Sequence, residues 1–89
     1  MTFIIYIKSN CDENEKTIRL LEKEKKIIFN CDQMIKNNIS DFTKSIENKT
    51  HRPFDISHLP IIFLGDQYIG RYEDLLEYLT FQLDENYFL

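Results

Sequence analysis

Two cysteines are the residues of this chain best suited to chemistry, and they lie in different local settings. Cys11 follows the apolar run Phe3–Ile7 and directly precedes a segment with helical character, while Cys31 follows a second, shorter apolar run. A cysteine between a buried strand and a helix start faces unpaired backbone N–H groups and the positive end of the helix dipole, and both stabilise thiolate over thiol. Lys8 adds a cation three positions earlier. We therefore predict that Cys11 is a catalytic nucleophile, since the thiolate is the attacking species in disulfide exchange.

Cys31 has two interpretations. It could act as a resolving partner for Cys11, because both cysteines follow strands that are expected to end at the same edge of one sheet. It could also be a small, semi-buried apolar side chain, which is the commoner role of such a cysteine. In a reducing compartment, two cysteines twenty positions apart indicate chemistry or chance before they indicate a structural disulfide.

The dipeptide Leu59-Pro60 directly precedes the third predicted strand. Proline is tolerated there because the first residue of a strand need not donate a hydrogen bond to the ladder. If the bond between the two residues is cis, the N–H and C=O groups of Leu59 point into the polar mouth beyond the end of the first strand, beside Cys11. They could then pair with an extended peptide ligand.

The order of elements predicts an α/β fold, β-α-β-α-β-β-α, with a four-stranded mixed sheet flanked by helices on both faces. We expect the first two strands to be parallel, because a helix joins them, and the last two to form a hairpin through Gly65-Asp66. Continuous apolar runs predict that strand one is buried on both faces and that strand two is a second, short buried strand. The predicted elements are strands at Phe3–Ile7, Ile27–Phe29, Ile61–Leu64 and Gln67–Ile69, a helix at Asp12–Glu24, a helix from about Gln33 to Asn48 with Ile35, Ile39, Phe42 and Ile46 on one face, and a C-terminal helix with Tyr72, Leu75, Leu76, Leu79 and Leu83 on one face.

Length and charge restrict the class of protein. A chain of 89 residues is expected to form a single domain spanning residues 1–89. Its net charge of -4 argues against nucleic acid as a partner, because phosphate binding needs a basic face. No apolar run approaches the roughly 20 residues of a membrane-spanning helix, and no signal peptide is indicated. We therefore expect a cytoplasmic protein with no membrane partner.

Three blocks of sequence together resemble the glutaredoxin family of the thioredoxin fold. The block from Phe3 to Cys11 is similar to that family's first strand, lysine and active-site cysteine. The block His58-Leu59-Pro60 stands where the family has Thr-Val-cis-Pro. The block from Tyr68 to Leu75 is similar to the family's Ile-Gly-Gly-x-x-Asp-Leu turn into the last helix. The order and spacing of these blocks extend the resemblance over nearly the whole chain.

The resemblance implies a binding site for glutathione. Lys8 would meet the glycyl carboxylate, and the backbone at Leu59, next to Pro60, would pair with the cysteinyl part. The N–H groups of Tyr72 and Glu73 would hold the γ-glutamyl carboxylate, since the N-terminus of a helix is an anion site. The implied partners are glutathione and glutathionylated or disulfide-bonded proteins.

The active-site motif departs from both forms known in that family. The tetrapeptide Cys11–Asn14 lacks the second cysteine of dithiol members and is not the Cys-Gly-Phe-Ser of monothiol members. Asp12 and Glu13 place negative charge beside the thiol, which opposes its ionisation. Arg71 replaces the second glycine of the turn. Its side chain could either crowd the glutathione groove or supply a cation to it.

Three functions are compatible with this resemblance. The first is a monothiol, glutathione-dependent thiol–disulfide oxidoreductase that removes glutathione from proteins through Cys11. The second is a carrier in which Cys11 and glutathione ligate a bridging [2Fe–2S] cluster in a dimer. The third is a non-catalytic binding module that retains only the fold. Two histidines seven positions apart, without a thiol pair, predict no further metal site.

Overall fold

The computed structural model of the protein describes residues 1–87. Its strands are β1 (Phe3–Ile7), β2 (Lys26–Asn30), β3 (Ile61–Leu64) and β4 (Gln67–Gly70), and its helices are α1 (Asp12–Leu20), α2 (Asp32–Thr50) and α3 (Tyr72–Tyr87), with one 3₁₀ turn at Ile56–His58. The strands form one mixed sheet in the order β2-β1-β3-β4. β1 is parallel to β2 and antiparallel to β3, and β3 and β4 form an antiparallel hairpin. The predicted α/β class and element order are confirmed.

Helices cover both faces of the sheet, and each face has its own core. The face under α1 and α3 is filled by Phe3, Ile5, Leu21, Ile62 and Leu75. The face under α2 is filled by Cys31, Phe42, Ile46, Leu59, Ile61 and Phe63. The central strands β1 and β3 contribute to both cores, so they hold the loops at their ends in place.

The prediction that strand two is buried is wrong. β2 lies at an edge of the sheet, and its apolar side chains at Ile27, Ile28 and Phe29 are 48%, 41% and 43% exposed. An apolar run is typical of a buried strand, but it does not reveal which strand has a neighbour on each side.

α2 is interrupted at Asn38, whose φ of -161° and ψ of 89° are extended rather than helical. Asn38 caps the second half of the helix: the Asp41 N–H donates to Asn38 Oδ1 at 3.1 Å, and Asn38 Nδ2 donates to Asp41 Oδ2 at 2.9 Å. The interruption changes the helical phase. Phe42 and Ile46 are buried as predicted, but Ile39, predicted on the same face, is 47% exposed.

α1 is shorter than predicted and ends at Leu20 instead of Glu24. The N–H of Leu21 donates to the carbonyl oxygens of Thr17 and Ile18, which tightens the last turn. Leu21 is completely buried. The chain must turn directly after it because β2 begins only five residues further on.

α3 packs against the sheet through Leu75, which is completely buried, and through the partly buried Leu79. Leu76, predicted on the same face, is 38% exposed, because adjacent helical positions lie about 100° apart and cannot both face the sheet. For Leu83, also predicted on this face, the structure describes the helical backbone and not the side chain, so its predicted inward position stays a prediction. No helix within residues 1–87 is both long and apolar enough to cross a membrane.

Gly70, between β4 and α3, is expected to be the glycine least tolerant of substitution. Its φ is +129°, and a Cβ there would lie 2.3 Å from Oδ2 of Asp74, which also accepts a hydrogen bond from the Arg71 N–H at 2.9 Å. We expect Gly70→Ala to lower the free energy of unfolding by about 2–4 kcal/mol, measured by urea denaturation. Gly65→Ala is the control: φ is +60°, but the nearest atom lies 3.9 Å away, so a loss of about 1 kcal/mol is expected. Equal losses would contradict the steric argument.

Candidate active site

Cys11 lies at the N-cap of α1, in the loop that follows β1. Its φ of -110° and ψ of 120° are extended, and the Asn14 N–H donates to its carbonyl oxygen at 3.2 Å. The thiol is partly exposed, in an open groove that it shares with Asp12 and Glu15. The structure therefore confirms the predicted position of Cys11 between a strand and the positive end of a helix dipole.

The Leu59-Pro60 bond is cis, and it places the Leu59 carbonyl next to the thiol. Cys11 Sγ donates to Leu59 O at 3.3 Å, although the two residues are 48 positions apart. The Leu59 N–H does not face the mouth as predicted. It donates to Ile56 O at 3.2 Å, because the 3₁₀ turn before it closes a hydrogen bond of its own. One of the two backbone groups predicted to bind a ligand is therefore already bonded.

The loop before Cys11 is fastened to the start of α2 through Ser9 and Asp32. The Ser9 N–H donates to Asp32 Oδ1 at 2.8 Å, and the Ser9 hydroxyl donates to Asp32 Oδ2. These hydrogen bonds, with a smaller contribution from the charge of Lys8, hold the pKa of Asp32 below its usual value. The sequence does not predict this contact, because nothing in the local pattern links residues 23 positions apart.

Asn14 stands at the fourth position of the motif, where a dithiol motif has its second cysteine. Its side chain makes a hydrogen bond to the backbone. Asn14 Nδ2 donates to Lys8 O at 2.6 Å, which ties the first turn of α1 to the end of β1. Its Oδ1 is buried and has no hydrogen-bond partner within the described part of the chain. The side chain thus supports the backbone on both sides of Cys11.

Cys31 belongs to the core beneath α2. Its side chain is completely buried, and Sγ lies 3.7 Å from Phe29 O. Burial, and next the charge of Asp32, raise the pKa of Cys31 from 9.0 to about 11. Both cysteines are free thiols. The geometry therefore supports the interpretation of Cys31 as a small apolar side chain and does not support a resolving role.

Arg71 joins the start of α3 to the active-site helix. Its guanidinium lies 3.4 Å from Glu13 Oε2, and the two side chains are 38% and 26% exposed. Its Nε is buried, with no hydrogen-bond partner among the described residues. The sequence left open whether Arg71 crowds the groove or supplies a cation. In the structure its charge is directed at Glu13, which partly compensates one of the two carboxylates beside Cys11.

A second groove, of about 310 Å³, lies between the segment before Leu59 and the start of α3. The Arg52 guanidinium lies over the ring of Tyr68, 5.6 Å from its centroid. Burial, and next the charge of Asp74, raise the pKa of Tyr68, while Arg52 and Arg71 lower it. The groove is lined by Thr50, Arg52, Pro53, Phe54, His58, Tyr68, Arg71 and Asp74.

The remaining predicted glutathione-binding residues are Tyr72 and Glu73 in α3 and Lys8 directly after β1. Tyr72 and Glu73 form the first turn of α3, where the first backbone N–H groups of a helix have no intrahelical partner. Lys8 is the first residue after β1. Hydrogen bonds from Ser57 hold the pKa of Asp55 below its usual value, and the charges of His58 and Lys8 contribute less. The charge of Lys8 also contributes to the lowered pKa of Asp32.

Comparison with solved structures shows a likeness to the structure of E. coli glutaredoxin. The match has a TM-score of 0.61 and 23% sequence identity, and it covers 94% of this chain and 99% of that chain. No protein-family model matches the sequence. No curated protein matches it either. A likeness at this identity is one of fold, and the chain accordingly has the thioredoxin-like fold in the form seen in glutaredoxin.

Proposed function

We propose that the protein is a glutathione-dependent thiol–disulfide oxidoreductase that works through Cys11 alone. One observation carries the proposal. Cys11 is a partly exposed thiol at a helix N-cap, with Sγ 3.3 Å from Leu59 O beside a cis proline, whereas Cys31 is sealed in the core. A helix N-terminus favours the thiolate, and this position leaves it open to a disulfide substrate.

The first step of the proposed reaction is an exchange at the mixed disulfide of a glutathionylated protein. The Cys11 thiolate attacks the glutathionyl sulfur, so the bond between that sulfur and the target protein breaks. A new disulfide joins Cys11 to glutathione, and the target thiolate leaves and takes a proton from solvent. The number of disulfide bonds is unchanged, so this step needs no external reductant.

Free glutathione completes the cycle. Its thiolate attacks the glutathionyl sulfur on Cys11, which releases glutathione disulfide and restores the Cys11 thiolate. The second glutathione is the reductant, and the target protein has gained the electrons. No second protein thiol is needed, so Asn14 is compatible with the mechanism.

The charges around the mouth support glutathione as the ligand. We propose that Lys8 meets its glycyl carboxylate and that the N–H groups of Tyr72 and Glu73 hold its γ-glutamyl carboxylate. The Leu59 carbonyl accepts from the cysteinyl N–H. The pairing of Arg71 with Glu13 supports this assignment, because it reduces the repulsion between the acidic motif and an anionic ligand.

The test is reduction of a glutathionylated peptide, coupled to glutathione reductase. We expect turnover by the wild type and background rates with Cys11→Ser, because a serine hydroxyl is not ionised near neutral pH. Cys31→Ala is the matched control and is expected to remain active. Equal activity of wild type and Cys11→Ser would overturn the proposal.

The alternative function is a non-catalytic binding module, and one hydrogen bond in the structure favours it. The Leu59 N–H already donates to Ile56 O, so a peptide ligand would find a single backbone partner at this residue. Calorimetry with glutathione separates the cases: a module that has lost its glutathione site shows neither binding heat nor turnover. Turnover in the coupled assay excludes it.

A [2Fe–2S] cluster does not fit the residues of one chain. No group of three or more His, Cys, Asp or Glu side chains within the described residues could hold a metal ion. Cys11 is the one partly exposed thiol, so a bridging cluster would need a second copy and two glutathione molecules. No step of the proposed reaction uses a cluster.

A further inference from the structure

β2 presents an open and unusually apolar edge of the sheet. Within the described residues, β1 is the only strand paired with it. Ile27, Ile28 and Phe29 are each more than two-fifths exposed. Edge strands of this kind are templates for pairing with another strand unless something blocks them. We propose that β2 pairs antiparallel with β2 of a second copy of this chain, which joins the two sheets into one.

The backbone hydrogen-bonding groups of β2 are arranged for such pairing. Cys31 N–H donates to Ile7 O at 2.7 Å, and Lys25 O accepts from Phe3 N–H at 2.9 Å. In a parallel pair, alternate residues of a strand bond toward a given neighbour, so the odd-numbered residues of this segment bond toward β1. The even-numbered residues direct their N–H and C=O groups away from the sheet. They are Lys26, Ile28 and Asn30.

A two-fold axis at Ile28 gives each of these outward N–H and C=O groups a hydrogen-bond partner. Ile28 then lies opposite its own copy, and the two residues exchange both N–H···O=C bonds. Lys26 lies opposite Asn30 of the second copy, and Asn30 lies opposite Lys26, again as hydrogen-bonded pairs. A register centred on Lys26 would instead place two like charges opposite each other and leave Asn30 without a partner. Of these two symmetric registers, the one centred on Ile28 is therefore favoured.

The same register covers the exposed apolar side chains. Ile27 and Phe29 lie on one face of β2, where the Phe29 ring stacks on Tyr6 with centroids 5.4 Å apart. In the pair, Ile27 of each copy lies opposite Phe29 of the other, in the positions where cross-strand side chains approach most closely. On the opposite face, Ile28 meets its own copy. Pairing therefore reduces the contact with water of the side chains that β2 exposes in a single copy.

Charge at the two ends of β2 favours the antiparallel direction. Lys25 and Lys26 lie at its start, and Asp32 lies directly beyond its end. Antiparallel pairing brings the start of one strand to the end of the other, so Lys26 is diagonal to Asp32 of the second copy and within reach of a long side chain. Such exposed pairs contribute little free energy, but they disfavour the parallel alternative, which would place the lysines together.

Sedimentation analysis over a wide range of protein concentration tests the proposal. A five-residue strand pair is a small interface, so we expect a reversible equilibrium. The weight-average mass of the wild type should rise from 10.8 kDa toward twice that value. Ile28→Lys should remain at the monomer mass, because it places two ammonium groups opposite each other. Ile28 is 41% exposed, so the substituted side chain can reach solvent in the folded monomer.

A control variant and a second measurement keep the test specific to this edge. Leu76→Lys adds the same charge at a position of similar exposure (38%) on α3, and it should associate like the wild type. Exchange of the Ile28 amide hydrogen should slow several-fold as concentration rises. A wild type that stays monomeric, an Ile28→Lys variant that associates equally, or association without protection of this amide would each overturn the inference. None of these readouts requires activity at Cys11, so failure here is separate from failure of the proposed function.

Discussion

Mixing the reduced protein with glutathione disulfide is expected to add one glutathionyl group to Cys11 and none to Cys31. The two thiols differ in how accessible they are to a disulfide in solution. Cys11 is partly exposed at the N-cap of α1, while Cys31 is completely buried beneath α2. Burial also raises the pKa of Cys31 to about 11, so near neutral pH it carries a proton and is not a nucleophile.

Intact mass followed by peptide mapping measures this result. We expect full conversion of the wild type to a single adduct and no adduct on Cys11→Ser. Cys31→Ala should form the adduct as the wild type does. A disulfide between Cys11 and Cys31, or an adduct on Cys31 in the native protein, would contradict the assignment of Cys31 to the core. Denaturation should make both thiols reactive, which confirms that the fold protects Cys31.

Raising the pH from about 9 to about 11 is expected to lower the free energy of unfolding by about 2 kcal/mol through Cys31 alone. The pKa of this thiol is raised from 9.0 to about 11 by burial and by the charge of Asp32. In this range the unfolded chain has lost the thiol proton and the folded chain keeps it, so the unfolded state binds fewer protons and stability falls as pH rises. Each unit of pKa corresponds to about 1.4 kcal/mol.

This stabilisation is fully present below pH 9, the unfolded pKa, and is lost as pH rises through about 11. Urea denaturation at several pH values measures it. Lysine and tyrosine groups also titrate in this pH range. The informative quantity is therefore the difference between two variants in how steeply the free energy of unfolding falls with pH. Cys11→Ser, which prevents oxidation, should lose stability more steeply than Cys11→Ser combined with Cys31→Ala. Parallel curves would show that Cys31 ionises alike in both states.

Local patterns in the sequence were sufficient for the order of elements and for the position of Cys11. The apolar run Phe3–Ile7, the Gly65-Asp66 turn and the helical periods each depend on neighbours a few residues away, and the structure has the corresponding strand, hairpin and helices. The place of Cys11 at a helix start follows from the same local signals. The phase of the second helix could not be predicted from the sequence, because the cap at Asn38 interrupts a period that continues through it in the sequence.

The tertiary structure alone decided which groups meet around Cys11 and which strand is left open. The Leu59 carbonyl, the Ser9–Asp32 contact and the Arg71–Glu13 pair join residues 48, 23 and 58 positions apart. No periodicity or spacing records such pairings. The apolar residues of β2 likewise predicted a buried strand, but burial depends on whether a neighbouring strand or helix covers the side chain. Hydrophobic pattern determines that a strand forms, and the order of strands in the sheet determines which of its atoms remain in contact with water.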